Sequence, residues 1–175
     1  MDFAPVLKKF EPRDTPIDQR MSDTTATAGG SPDEPESRLS FKELAEEFRF
    51  LGEWDDQCEY LMDLGFELPQ LAESQKVEDN RVHGCQSNVW LVADVDGGAD
   101  EPRVHFLANS DSMFVNGLIV VVRAIYNGRT AEEILALDPK AKLAELGMDR
   151  HLSPQRKNGL FGMVERVRGV AAAAL

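Results

Sequence analysis

Leu44, Phe48 and Leu51 recur at the spacing of one helical turn, the stripe that an amphipathic helix turns toward a core. Ser40-Phe41-Lys42-Glu43, just before them, has the order of a capping box, so a helix is predicted to start there. Beyond Gly52, residues 53–64 continue helical, with Trp54, Cys58, Leu61 and Met62 on one face and Gly65 as the expected stop. Cys58 falls on that apolar stripe and reads as core packing rather than chemistry.

The period changes in the middle of the chain. Val89, Leu91 and Ala93, with Trp90 and Val92 opposite, predict a strand buried on both faces. Asp96-Gly97-Gly98 reads as a turn and Arg103 to Leu107 as a returning antiparallel strand, while Lys76 to Val82 offers a further edge. In the apolar run Phe114 to Tyr126, the β-branched stretch Ile119 to Val122 favours a strand. Its length and the stop at Asn127-Gly128 favour a buried helix, which is the reading adopted. Thr130-Ala131-Glu132-Glu133 is a second capping box. Pro139 to Leu146 reads as a short helix halted by Gly147, and Ser153-Pro154 opens the last helix toward Ala174. Helices, antiparallel strands and helices again define an α+β class: a small antiparallel sheet of about three strands covered by helices from both ends of the chain.

Residues 22–37 contain no large apolar side chain and cannot bury enough surface to offset their ordering entropy. The chain therefore divides into a disordered lead over residues 1–37 and one domain over 38–175. Met21-Ser22 offers a second candidate translation start. The whole chain carries 31 acidic against 19 basic residues, a net charge of −12. That balance argues against a nucleic-acid binder, which needs a basic face. Arg150, Arg156, Lys157, Arg166 and Arg168 form the one local basic cluster and read as a solvated helix face. The longest apolar stretch is interrupted by Asn116 and Arg123 and is too short to span a bilayer. With no signal-peptide core at the N-terminus and two cysteines, a reducing, cytoplasmic setting with free thiols is expected.

One of those thiols has a different setting from the other. Cys85 lies in Asn80-Arg81-Val82-His83-Gly84-Cys85-Gln86-Ser87-Asn88-Val89-Trp90, between a glycine and polar residues, where a side chain is presented on a turn rather than packed. An ordinary thiol of pKa about 8.5 is only about 3% thiolate near neutral pH, so nucleophilic work needs a nearby positive charge or base. His83, two positions away, is one candidate, with a plain surface or strand histidine as the alternative. Arg156, just after the Ser153-Pro154 helix start, is another, since a guanidinium supports a thiolate or persulfide without competing for its proton. No Cys-x-x-Cys pair supports a structural zinc site or a dithiol redox motif. A papain-like hydrolase would need His105 or His151 brought to the thiol, and neither sits in a recognisable motif.

The run Arg81-Val82-His83-Gly84-Cys85-Gln86-Ser87, continuing to Val89-Trp90, closely resembles the signature of the SufE family, the sulfur acceptors of cysteine desulfurases. The resemblance extends over residues 38–175. It includes Ser110-Asp111 leading into Gly117-Leu118-Ile119, then Tyr126 with Gly128-Arg129-Thr130. His151-Leu152-Ser153-Pro154-Gln155-Arg156 with Asn158-Gly159-Leu160 completes it. The chain departs from the family pattern at Ala108-Asn109, often Gly-Asp, and at Asn88, commonly glutamine; the first makes a role for the Asn109 side chain doubtful.

The resemblance implies a SufE/IscU-like fold and a persulfide relay that is not itself an enzyme and has no cofactor of its own. A pyridoxal-phosphate cysteine desulfurase of the SufS kind would hand sulfur to Cys85, which would pass it to an iron–sulfur scaffold. It further implies that Gly84 is the moving part, that Arg156 supports the charged sulfur, and that Gln86, Ser87 and Asp111 lie on the loop and partner surface. A single presented thiol suits a carrier of one sulfur atom better than a cluster scaffold, which needs several ligands. Neither nucleic acid nor membrane is an expected partner, and a homodimer is left open. A regulatory module that binds the desulfurase without taking sulfur is the rival reading, and an independent cysteine hydrolase is a third.

Overall fold

The computed structural model describes residues 39–96 and 101–175. The expected lead over residues 1–37, the alternative start at Met21 and the turn at Gly97-Gly98 lie outside them. Ser40 caps α1 (Phe41–Leu51) with a complete capping box, its hydroxyl accepting from the Glu43 amide while Glu43 accepts from the Ser40 amide at 2.8 Å. Leu44 and Phe48 point into the core as expected, joined by Ala45, whereas Leu51 is only half-buried.

The second helix, α2 (Trp54–Phe66), runs through Gly65 rather than stopping there. A Cβ at Gly65 would lie 2.6 Å from the Gly117 amide nitrogen, and one at Gly117 only 2.5 Å from the Leu61 carbonyl oxygen. These two glycines let α2 cross α3 (Met113–Tyr126) almost backbone to backbone. Gly65 is thus a packing glycine, a role its position near a helix end conceals. The ambiguous apolar run is helical, as read, because its β-branched residues are enclosed by tertiary contacts that override strand propensity.

The sheet has three antiparallel strands in the order β1 (Val89–Val95), β2 (Arg103–Ser110), β3 (Arg129–Thr130). Val89 pairs with Ser110 and Val95 with Val104. Two strand expectations change. β1 is fully buried only at Val89 and Leu91, with Trp90, Val92 and Ala93 half-buried; α3 and α7 (Pro154–Ala173) pack against the strands, and one strand face carries most of the burial. Lys76 to Val82 contains a 3₁₀ turn (Glu78–Asn80), just after another at Glu73–Gln75, and its only strand pairing among the described residues is a single bridge from Arg81 to Trp90. The third strand is instead the dipeptide just before the second capping box, too short to show a period.

Three short helices follow. Thr130 caps α4 (Ala131–Ala136), Asp138 caps α5 (Pro139–Glu145), and α6 (Met148–His151) is not separable by pattern from the loop around it. Ser153 caps α7, as its Ser-Pro start predicts. The basic cluster is only in part a solvated face: Arg150, Arg156 and Arg166 are exposed, whereas Lys157 and Arg168 are half-buried. Arg168 gives its guanidinium to the Ile134, Leu135 and Leu137 carbonyls at the end of α4, and Arg166 donates to the Asp79 carbonyl at 2.8 Å. Helix ends leave orphan carbonyls, and the Arg168 guanidinium satisfies those of α4.

Candidate functional site

The cysteine run is a loop closed at its neck. The Val82 amide donates to the Val89 carbonyl at 2.8 Å, and the Arg81–Trp90 bridge closes the next rung. Asn88 anchors the far side. Its amide and its side-chain Nδ2 donate to the two Asp111 carboxylate oxygens at 3.0 and 2.7 Å. The Asp111 amide returns a bond to the Asn88 carbonyl, and Arg81 reaches Asn88 Oδ1 at 2.7 Å. Asp111 and Asn88 therefore hold the base of the loop, while Gly84, at φ +93°, turns its tip.

Between these fixed ends the loop lies on α7. A Cβ at Gly159 would stand 2.8 Å from the Cys85 sulfur, and one at Gly162 would stand 2.9 Å from the His83 carbonyl oxygen. Two bare backbone positions one turn apart thus form the bed on which the loop rests. Cys85 is half-buried against the edge of the core. Its sulfur is sheltered by packing against the Gly159 backbone.

Gln86 is exposed and Ser87 half-buried, both on the outer arm of the loop. His83 is 72% exposed and places Nε2 3.3 Å from Glu78 Oε1, so its imidazole is engaged by a carboxylate. Arg156 begins the same helix that carries Gly159, and its guanidinium lies over the Phe114 ring at 4.1 Å from the centroid. The structure brings Arg156, Phe114 and the Cys85 loop to the N-terminal half of α7.

Cys58 is half-buried rather than a core residue. Burial, followed by the Asp55 charge, pushes its thiol above the ordinary range, and Arg156 partly opposes this. Cys58 consequently remains protonated to higher pH than a free thiol. Iodoacetamide labelling of Cys58 near pH 8 should be several-fold slower than that of free cysteine, checked by peptide mass spectrometry.

The glycine bed is not recognisable in the sequence, although Asn158-Gly159-Leu160 stands out as a motif. A glycine inside a helix costs about 1 kcal/mol relative to alanine, so Gly159 and Gly162 are the available signal. Gly169 carries the same signal and has nothing near it, which is why spacing alone cannot pick out the bed. Asn109 also proves structural. Its buried side chain accepts from the Leu71 amide and donates to the Pro69 carbonyl, tying the segment after α2 to β2. Trp54 and His151 stack at 4.7 Å between ring centroids, a surface contact that no motif announces.

If the bed holds the thiol down, then Gly159→Ala forces the loop off α7. The expected outcome is several-fold faster alkylation of Cys85 with little loss of thermal stability, because the displaced contact is a loop rather than a core element.

A helix-covered antiparallel sheet carrying one loop-borne thiol matches the family model SufE, described as an Fe-S metabolism associated domain, over residues 42–171. The chain belongs to the SufE family. It is 38% identical over 136 residues to an uncharacterised SufE-like protein of Rhizobium meliloti, covering 78% of this chain and 97% of the relative. A second uncharacterised SufE-like protein, of Rhizobium etli, is 41% identical over 129 residues, covering 74% of this chain and 87% of the relative. The fold is similar to the solution structure of a hypothetical protein from Thermus thermophilus, with a TM-score of 0.62 and 22% identity over 78% of this chain and 96% of that one. Among the described residues, no helix is long and apolar enough to cross a membrane.

Proposed function

We propose that this protein is a cytoplasmic sulfur acceptor that activates a pyridoxal-phosphate cysteine desulfurase of the SufS kind and passes the sulfur to an iron–sulfur scaffold. The observation that carries this reading is the Cys85 loop, which is fixed at its neck and bedded on Gly159 and Gly162. Such a loop shelters a thiol and can release it without unfolding the domain. Membership of a family associated with Fe–S metabolism supports the same reading.

The transfer is a thiol–persulfide exchange. The Cys85 thiolate attacks the outer sulfur of a persulfide on the desulfurase, the existing S–S bond breaks, and the desulfurase cysteine leaves as thiolate. The new S–S bond is on Cys85, and no external oxidant or reductant is consumed. Arg156, near the start of the helix that carries Gly159, supports the anionic sulfur, with His83, exposed beside Glu78, as the second supporting residue. Gly84 supplies the hinge, and Gln86, Ser87 and Asp111 meet the partner at the loop margin.

Incubation with a cysteine desulfurase and cysteine, followed by nonreducing mass spectrometry, tests this directly. The expected result is a gain of one sulfur atom on the peptide containing Cys85, with none on Cys58. Complex formation and stimulation without that adduct would instead establish a regulatory module, and turnover of an ester or amide without any partner would establish a hydrolase.

A further inference from the structure

Arg156 stands in the first turn of α7, three residues before Gly159. Residues three apart on a helix share a face, with Cβ atoms about 5–6 Å from each other. The Cys85 sulfur would lie 2.8 Å from a Cβ at Gly159. It is therefore within about 9 Å of the Arg156 Cβ, inside the reach of an arginine side chain. The other basic side chains of the loop are engaged, since Arg81 and His83 both face Glu78, at 3.5 and 3.3 Å. Arg156 is exposed and, among the described residues, forms no salt bridge. A cation in the first turn also opposes the helix macrodipole, so its placement does nothing for α7. What holds it is the face of Phe114, 4.1 Å from the ring centroid. A guanidinium lying on a ring keeps its in-plane N–H donors free for an anion.

Phe114 is placed by the same segment that closes the loop. Asp111 takes two bonds from Asn88, Ser112 caps α3 by accepting from the Val115 amide, and Phe114 follows in the first turn. The ring is half-buried against the core, which makes it a fixed platform for an otherwise solvent-facing side chain.

We propose that Phe114 is a positioning residue for sulfur transfer: its ring holds the Arg156 guanidinium, donors unspent, beside the Cys85 sulfur. The role deepens the sulfur-acceptor reading and rests on it. A free arginine side chain spreads over many rotamers and must be ordered each time an anion arrives. A ring contact at an exposed site shifts that population by about two- to fivefold. The ring acts through Arg156 and does no chemistry itself.

The test compares the full chain with its Phe114→Leu, Phe114→Tyr and Arg156→Gln variants and with the Phe114→Leu/Arg156→Gln double variant. Each is alkylated with iodoacetate, which is anionic, and with iodoacetamide, which is neutral, and the ratio of the two rates is read on the Cys85 peptide. The ratio cancels changes in loop exposure, so a merely structural effect does not move it. Phe114→Leu should lower the iodoacetate-to-iodoacetamide ratio about two- to fivefold, and Phe114→Tyr, which keeps the ring, should retain it. Arg156→Gln should lower it at least as far, after which Phe114→Leu should add nothing. Sulfur acceptance from a desulfurase should fall in the same order. An unchanged ratio in Phe114→Leu, equal losses in the leucine and tyrosine variants, or additive losses in the double variant would each overturn the role. So would a ratio that moves on Cys58 alone, since Arg156 also opposes the effects of burial and Asp55 on that thiol. The ratios need no desulfurase. An unaltered chain that shows them but never gains sulfur would end the acceptor reading while leaving the ring contact in place, so the two failures are distinguishable.

Discussion

Cys85→Ser is expected to abolish sulfur acceptance and desulfurase stimulation while leaving the fold in place. Serine is slightly smaller than cysteine, and its hydroxyl has no sulfur-exchange chemistry at neutral pH. The position is half-buried on glycine rather than locked in the core. The neck bonds from Val82 to Val89 and from Asn88 to Asp111 do not involve the side chain. Thermal unfolding should therefore change by only a degree or two, the range of substitutions away from the core. The measurements are desulfurase turnover with and without the variant, the mass of the Cys85 peptide and a melting curve. Undiminished stimulation by the serine variant would end the carrier mechanism. Loss of stimulation together with collapse of the fold would show instead that the loop is structural. Asp111 provides an internal contrast, since its removal loosens the neck without touching the sulfur.

The largest stability effect is expected at Gly117. Alanine there places its Cβ 2.5 Å from the Leu61 carbonyl oxygen and 2.8 Å from its carbonyl carbon, both backbone atoms of α2 that no rotamer change can move. Replacing glycine by alanine in a helix gains about 1 kcal/mol of propensity. Forcing two packed helices apart costs about 1–3 kcal/mol or more. Here the clash dominates because it is reciprocal: a Cβ at Gly65 would come equally close to the Gly117 amide. A net loss of about 2 kcal/mol should lower the melting temperature by about 5–10 °C. Gly169→Ala is the matched control, because nothing stands within 4 Å of the added carbon. It should leave stability unchanged or raise it by up to about 1 kcal/mol. Equal effects at Gly117 and Gly169 would mean that helix crossing does not depend on the bare backbone at Gly117.

Much of this protein follows from local signals. The caps at Ser40, Thr130 and Ser153, the helical stripe of α1 and the alternation in β2 all rest on interactions within a few residues, so they are legible in order along the chain. The loop position of Cys85 is legible too, because glycine and polar neighbours mark the turn, but its packing is not: the side chain expected to be presented is half-buried against the core edge, and Cys58 is half-buried as well. What pattern does not supply is pairing at a distance. β3 is a dipeptide whose strand character exists only beside β2. Gly65 looks like a helix stop until α3 is laid across it. Arg168 looks solvated until the carbonyls of α4 come within reach.

The same division runs through the site. Residue types and spacing alone determined an α+β domain with one cysteine set in a loop, because secondary-structure periods and turn residues are properties of neighbouring side chains. Only the tertiary structure decided what holds that thiol: a neck fastened by Asn88 and Asp111, and a bed at Gly159 and Gly162 that lies more than seventy residues further along the chain. Contacts between segments so far apart depend on how helices and strands cross in space, and no local period encodes that crossing.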